Sequence, residues 1–287
     1  MLLKLTTILS EENERNKMIK DLIKNVAYPM IKSRPDFLIL GTQKAGTTSL
    51  YNYLIQHSDV IKNNSFKEIH YFDEFPNYQR GFGWYLGYFP SKKQKENKLT
   101  LDATPEDLYF QHIPQLIKKD LGNIKMIAIL RNPVYRAYSA WQMYHSFSKN
   151  PHTHLRNIAD QRTFLEAIEE EQKGIKIEYP YDYINRGKYA DQLKNYYKHF
   201  DKENLLILNF DQFKDDLDNL LNSICDFLSL EYFSSEKLQE FKEIKYNSGK
   251  YKVEKSESEL QGIQQLKDYF IPYNEELYNL LGYRYTW

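Results

Sequence analysis

The apolar run Phe37-Leu38-Ile39-Leu40 stops at Gly41, and from Thr47 onward the apolar residues Leu50, Tyr53 and Leu54 share one helical face. A buried strand that feeds a helix through a glycine-flanked loop leaves few folds open, because such a strand belongs in a parallel sheet with helices packed on it. The junction also carries chemistry. Free backbone N–H groups and the positive end of the helix dipole both face whatever occupies the loop, which suits a phosphate. Gly41 and Gly46 allow close backbone approach, and Thr47, Thr48 and Ser49 add hydroxyl donors. The loop predicts a phosphate site formed by Lys44, Ala45, Gly46, Thr47, Thr48 and Ser49.

Short apolar runs at 37–40, 99–102, 126–130 and 205–210 read as strands, and periodic segments at 47–57, 133–147, 163–171, 188–200, 217–228 and 258–281 read as helices. The alternation predicts an α/β fold, a P-loop-type central parallel sheet flanked by helices in a single domain at 35–287, with an N-terminal helical extension at 1–34. The stretch 147–162 carries two histidines and a proline without periodicity and reads as a loop or lid.

Lys plus Arg equals Asp plus Glu, 39 of each. No global field therefore draws the chain to nucleic acid, and any anion site must be local. The single cysteine, Cys225, excludes an internal disulfide and offers no zinc spacing. No apolar run is long enough to span a membrane. Residues 18–31 place Met18, Ile19, Leu22, Ile23 and Val26 at helical spacing, which predicts a helix packed on the domain or, alternatively, a peripheral contact with a membrane or partner. A cytoplasmic location is the expectation from these features.

The loop disfavours a magnesium-dependent kinase. Where such loops place a lysine after the second glycine, this chain has Thr47, and its lysine, Lys44, lies inside the loop. The later run Lys125-Met126-Ile127-Ala128-Ile129-Leu130 ends in Arg131, not in a metal-binding aspartate. A small-molecule kinase and a non-catalytic nucleotide-binding protein remain the rival readings.

Five ordered segments carry a resemblance. They are Pro35 to Gly41 with Lys44, Gly46, Thr47 and Thr48; Lys67-Glu68-Ile69-His70-Tyr71-Phe72-Asp73; Leu101-Asp102-Ala103-Thr104-Pro105; Ile129-Leu130-Arg131-Asn132-Pro133 with Arg136 and Ser139; and Arg186-Gly187-Lys188-Tyr189 with Gln192-Leu193. Together they resemble the sulfotransferases that use 3′-phosphoadenosine 5′-phosphosulfate (PAPS), in particular the heparan sulfate and bacterial carbohydrate enzymes. The resemblance implies a PAPS donor without a required metal, and a sulfonyl acceptor on a glycan or glycolipid. It places the catalytic glutamate at Glu68 and the 3′-phosphate grip at Arg131 and Ser139. A late match at 245–252 adds Gly249 and Lys250 to donor binding.

On the residues themselves, Lys44 is the cation able to offset charge on a leaving 5′-phosphate. Glu68 and His70, two apart in a segment read as a strand, share one face, so either could serve as base, or the two could form a structural pair. A glutamate base would need burial by Phe66, Tyr71 and Phe72 to raise its pKa. The match departs at Ala103, where the heparan-modifying relatives carry a lysine. That departure argues against a heparan-like acidic acceptor and for a bacterial-type soluble carbohydrate enzyme.

Overall fold

The computed structural model describes residues 2–64, 67–175, 180–244 and 254–287, with side chains from Glu14 onward. Four strands, β1 (Phe37–Gly41), β2 (Leu101–Ala103), β3 (Lys125–Leu130) and β4 (Leu205–Asn209), form one all-parallel sheet in the order β2-β1-β3-β4. Phe37 lies opposite Leu101 on one side and Lys125 on the other, so β1 is central. The chain leaves β1 for the β2 edge and then crosses back to β3. That reversal opens a crevice beyond the carboxyl ends of β1 and β3, the place where open α/β sheets bind ligands.

The pleat divides the core. Leu38, Leu40, Met126, Ala128 and Leu130 pack on one face with Tyr85, Leu193 and Tyr196. Phe37, Ile39, Ile127 and Ile129 pack on the other with Leu50, Leu220 and Ile224. Helix α2 (Thr47–Leu54) is held over β1 by Leu50 and Leu54, both fully buried. Burial of each leucine stabilises the loop-bearing unit by about 1.5–3 kcal/mol.

All four expected strands form, although the second begins at Leu101, two residues after the start of the run that announced it. The six expected helices also form, 217–228 with unchanged bounds. Ile113–Leu121 and Ser235–Glu243 are further helices that the sequence pattern did not reveal. The expected lid at 147–162 is not a plain loop. It contains a 3-10 turn at Phe147–Lys149 and a short helix at Thr153–Asn157, and it is tied back by His145 Nδ1 to Asp160 O at 2.9 Å and by Trp141 Nε1 donating to Arg162 O at 3.0 Å.

Helix α1 (Leu2–Ile31) packs on the domain as expected, but through its polar side. Asp21 pairs with Arg80 at 2.7 Å, and Asn25 accepts from the Gly83 N–H at 2.7 Å and donates to Arg80 O at 2.8 Å.

Candidate active site

The donor half follows from the strand-loop-helix unit. Lys44 (φ 69°) and Gly46 (φ 88°) both take left-handed backbone, so the chain coils tightly before α2 begins. The Thr42 N–H donates to Ile129 O at 2.9 Å, and Arg131 Nη1 donates to Lys44 O at 2.8 Å, pinning the loop to the end of β3. Gly41 is required for a second reason: a Cβ there would stand 2.6 Å from Pro105 O, so only glycine lets the Thr104–Glu106 segment close against the loop. Burial, with the neighbouring Arg131 charge, lowers the Lys44 ammonium to about 8. An anion beside it would restore its charge.

Asn132 caps the helix Pro133–Ser146 by accepting from Val134 N–H at 3.0 Å, with Pro133 at the first helical position. That start brings Ser139 to the same cavity as Arg131. The Arg131 guanidinium lies 4.6 Å from the Phe210 ring centre, and its carbonyl accepts from Tyr189 OH at 2.7 Å.

The second half is built differently. Lys67 to Asp73 is not a strand; His70 has φ 54° and the segment is irregular. The strand reading failed because the alternation of Ile69 and Tyr71, both buried, with Glu68 and His70 is produced here by a coil anchored on the core. Glu68 and His70 nevertheless meet, with Glu68 Oε2 3.6 Å from His70 Nε2, while His70 Nδ1 lies 2.7 Å from Asp73 Oδ2.

The charge states follow. Burial works against an imidazolium at His70, but hydrogen bonds to Asp73 and Glu68 outweigh it and raise its pKa to about 11. Glu68 moves opposite to expectation. Burial tends to raise it, yet the hydrogen bond from His70 and the Lys67 ammonium bring it down to about 2. Tyr71 and Phe72 point into the core and do not enclose the carboxylate.

Lys67 joins the two halves. Its Nζ donates to Glu68 Oε1 at 2.6 Å and to the loop hydroxyls Thr47 Oγ1 at 3.3 Å and Thr48 Oγ1 at 3.2 Å. Glu106 closes the floor, accepting from Gln43 Nε2 at 3.1 Å, and burial holds its carboxyl above the ordinary range despite Arg186 at 3.6 Å. Among the described residues, His70, Asp73 and Glu106 bring their ligand atoms within 4.8 Å of one another, although His70 and Asp73 already bond to each other.

A cavity of about 850 Å³ is lined by Lys44, Gly46, Thr47, Thr48, Ser49, Glu68, His70, Arg131 and Ser139, nine of the residues singled out from the sequence. Ala45 is the exception: fully buried, its N–H donates to Thr42 O at 3.1 Å. Gly249 and Lys250 lie outside the described residues. Lys67, Glu106, Gln43 and Lys255 also line the cavity and were not assigned from sequence. For Lys67 and Glu106 the signal was present, since each adjoins a residue of a quoted motif. Ala103 is fully buried in the same apolar layer as Ala45 and Leu50.

This site has known counterparts. Residues 34–270 match the sulfotransferase domain family, and the chain belongs to that family, whose members use PAPS. The chain is 25% identical over 271 residues to human heparan sulfate glucosamine 3-O-sulfotransferase 3B1, covering 89% of this chain and 65% of that protein. It is 29% identical over 211 residues to the bifunctional heparan sulfate N-deacetylase/N-sulfotransferase 1 of Caenorhabditis elegans, covering 71% of this chain and 23% of that one. The chain thus spans less than two thirds of the length of these relatives. A sulfotransferase structure from Alicyclobacillus acidocaldarius superposes with a TM-score of 0.63 at 22% identity, covering 88% of this chain and 98% of that one, and so shares the fold.

The same relatives correct the cytoplasmic location expected from the sequence. They are heparan sulfate sulfotransferases, Golgi-lumenal enzymes, and give a cytoplasmic home no support. That no described helix is long and apolar enough to cross a membrane does not restore it.

Proposed function

We propose that this chain transfers a sulfonyl group from PAPS to a hydroxyl, or an amine, of a carbohydrate acceptor. The observation that carries the reading is the convergence, in one cavity, of the loop with Lys44, the Arg131–Ser139 pair, and the carboxylate of Glu68 held by His70. The 5′-phosphosulfate lies in the loop against the N–H groups and hydroxyls at the start of α2, and Arg131 and Ser139 hold the 3′-phosphate.

In the transfer, the acceptor oxygen forms a bond to sulfur while the bond from sulfur to the 5′-phosphate oxygen breaks. The electron pair stays on the phosphate, where Lys44 offsets the developing charge, and the acceptor proton passes to Glu68. His70, kept protonated by Asp73 and Glu68, is the poorer base and instead orients the carboxylate. The charge needed at the phosphate comes from Lys44 and Lys67, so the step as written uses no metal. The heparan-directed names of the relatives support a glycan acceptor.

Two measurements test the reading in turn. Product nucleotide, PAP, should raise the melting temperature; if it does not, the donor assignment falls. With binding established, labelled PAPS should label a sugar-containing acceptor from a glycan and glycolipid panel, and label transferred equally well by Lys44→Ala would remove the proposed chemistry.

A further inference from the structure

Helix α1 is seated on the domain the wrong way round for a surface helix, which ordinarily turns its apolar stripe to the core. Here the polar residues Asp21 and Asn25 make the contact, and the fit is close: a Cβ at Gly83 would come 2.3 Å from Asn25 Cα. Lys32 Nζ donating to Phe89 O at 2.8 Å and Lys92 Nζ donating to Pro29 O at 3.1 Å secure the end of the helix. The apolar residues are left outside. Met18, Ile19, Leu22, Ile23, Val26 and Met30 are each 47–73% exposed. At 100° per residue they fill an arc of about 140° and run about 18 Å along the axis. Lys20 lies on the flank of that arc beyond Ile23, whereas Lys17 and Lys24 lie on the domain side, where with Asp21 and Arg80 they line a cavity at the seam.

We infer that this face of α1 lies in the interfacial layer of an anionic lipid surface and holds the domain there. Three features select lipid over a second copy of the chain or another protein. The stripe is a convex ridge on one helix, a shape that a fluid interface accommodates, and it is wider than the narrow seam of a two-helix coil. Arg15 is exposed and projects within the arc; its long side chain can reach headgroups, whereas a dry helix-helix seam would bury its charge. Arg15 within the arc and Lys20 on its flank, both exposed, supply local positive charge on a chain whose formal net charge is zero, which suits anionic headgroups.

Flotation with vesicles of phosphatidylcholine alone and of phosphatidylcholine with phosphatidylglycerol tests the assignment on the full chain. Binding is expected on both and tighter with phosphatidylglycerol. The pair Leu22→Gln and Val26→Gln should weaken binding to both by roughly tenfold or more. The pair Arg15→Gln and Lys20→Gln should remove most of the phosphatidylglycerol advantage, roughly fivefold per charge at low salt. Both pairs alter exposed residues, and an unchanged stabilisation by PAP reports that the variants are folded. Absence of binding to either vesicle, or undiminished binding by the Leu22 and Val26 pair, overturns the assignment. So does a dimer in light scattering that this pair dissociates, which would show that a second copy covers the face.

Discussion

The two halves of the cavity are made by different means. The donor half is secondary structure: β1, a glycine loop and α2, with Arg131 at the end of β3 and Ser139 one helix on. The acceptor half is an irregular segment shaped by ionic hydrogen bonds, Lys67 to Glu68, Glu68 to His70 and His70 to Asp73. The first half has an apolar core beneath it. The second depends on charge states, and therefore on pH and on what enters the loop. Substitutions should separate donor affinity, lost at the Arg131 end of the donor half, from turnover, lost at Glu68 and at Lys44.

The largest effect belongs to Glu68. Glu68→Gln keeps the shape but removes the proton acceptor, and turnover should fall by about 10²–10⁴-fold. PAP should stabilise this variant as it does the parent; a matching loss of PAP binding would show that the halves are not separate. Lys44→Ala should lower turnover by about 10²–10³-fold. If Lys44 offsets charge at the breaking bond as proposed, its effect should appear mainly in kcat, and a change confined to the KM for PAPS would assign it to simple binding.

Arg131→Ala should act in the other column. A lost charge-assisted grip on the 3′-phosphate is worth about 1.5–3 kcal/mol, a weakening of PAP binding by roughly 10–150-fold. Isothermal titration with PAP and with its analogue lacking the 3′-phosphate checks this. The variant should bind the two alike, and retained discrimination would move the 3′-phosphate elsewhere.

This contrast also explains what was legible in the sequence. The donor half could be read because strand runs, glycines and a helix cap each leave a local signature, and 37–40 and 126–130 announced both strands that carry it. In the acceptor half the residues Glu68 and His70 were legible, but their geometry was not. A coil that buries Ile69 and Tyr71 alternates like a strand, and nothing local shows that His70 takes left-handed backbone. The direction of the Glu68 shift was misjudged for the same reason, since it depends on Lys67 and His70 converging on the carboxylate. Lys67 beside Glu68 looks like a solvated pair in sequence; only the fold brings it to Thr47 and Thr48. Helix α1 is a parallel case, since periodicity predicted an amphipathic helix but could not say which side meets the domain.

The smallest predicted effect, at Lys67, tests the joint between the halves. Its ammonium is shared between Glu68 and the loop hydroxyls. A phosphosulfate in the loop competes for that ammonium, and as Lys67 turns toward it Glu68 loses the partner that depresses its pKa and becomes a better base. On the proposed mechanism Lys67 is a positioning residue that links donor occupancy to proton acceptance. The pH signs follow from the two shifts. Glu68, depressed to about 2, contributes stability that is present above its ordinary 4.5 and lost as pH falls through about 2. His70, raised to about 11, contributes stability that is present below its ordinary 6.5 and lost as pH rises through about 11. Between those limits the parent's kcat/KM should be flat on the acid side. Lys67→Met should move the acid limb up toward the ordinary value of 4.5, with a loss of roughly tenfold at neutral pH. Lys67→Arg should restore the parent's acid limb, because a guanidinium keeps the charge. An acid limb that stays in place in Lys67→Met would leave His70 alone as the partner that sets Glu68, and the two halves of the cavity would then be neighbours without being coupled.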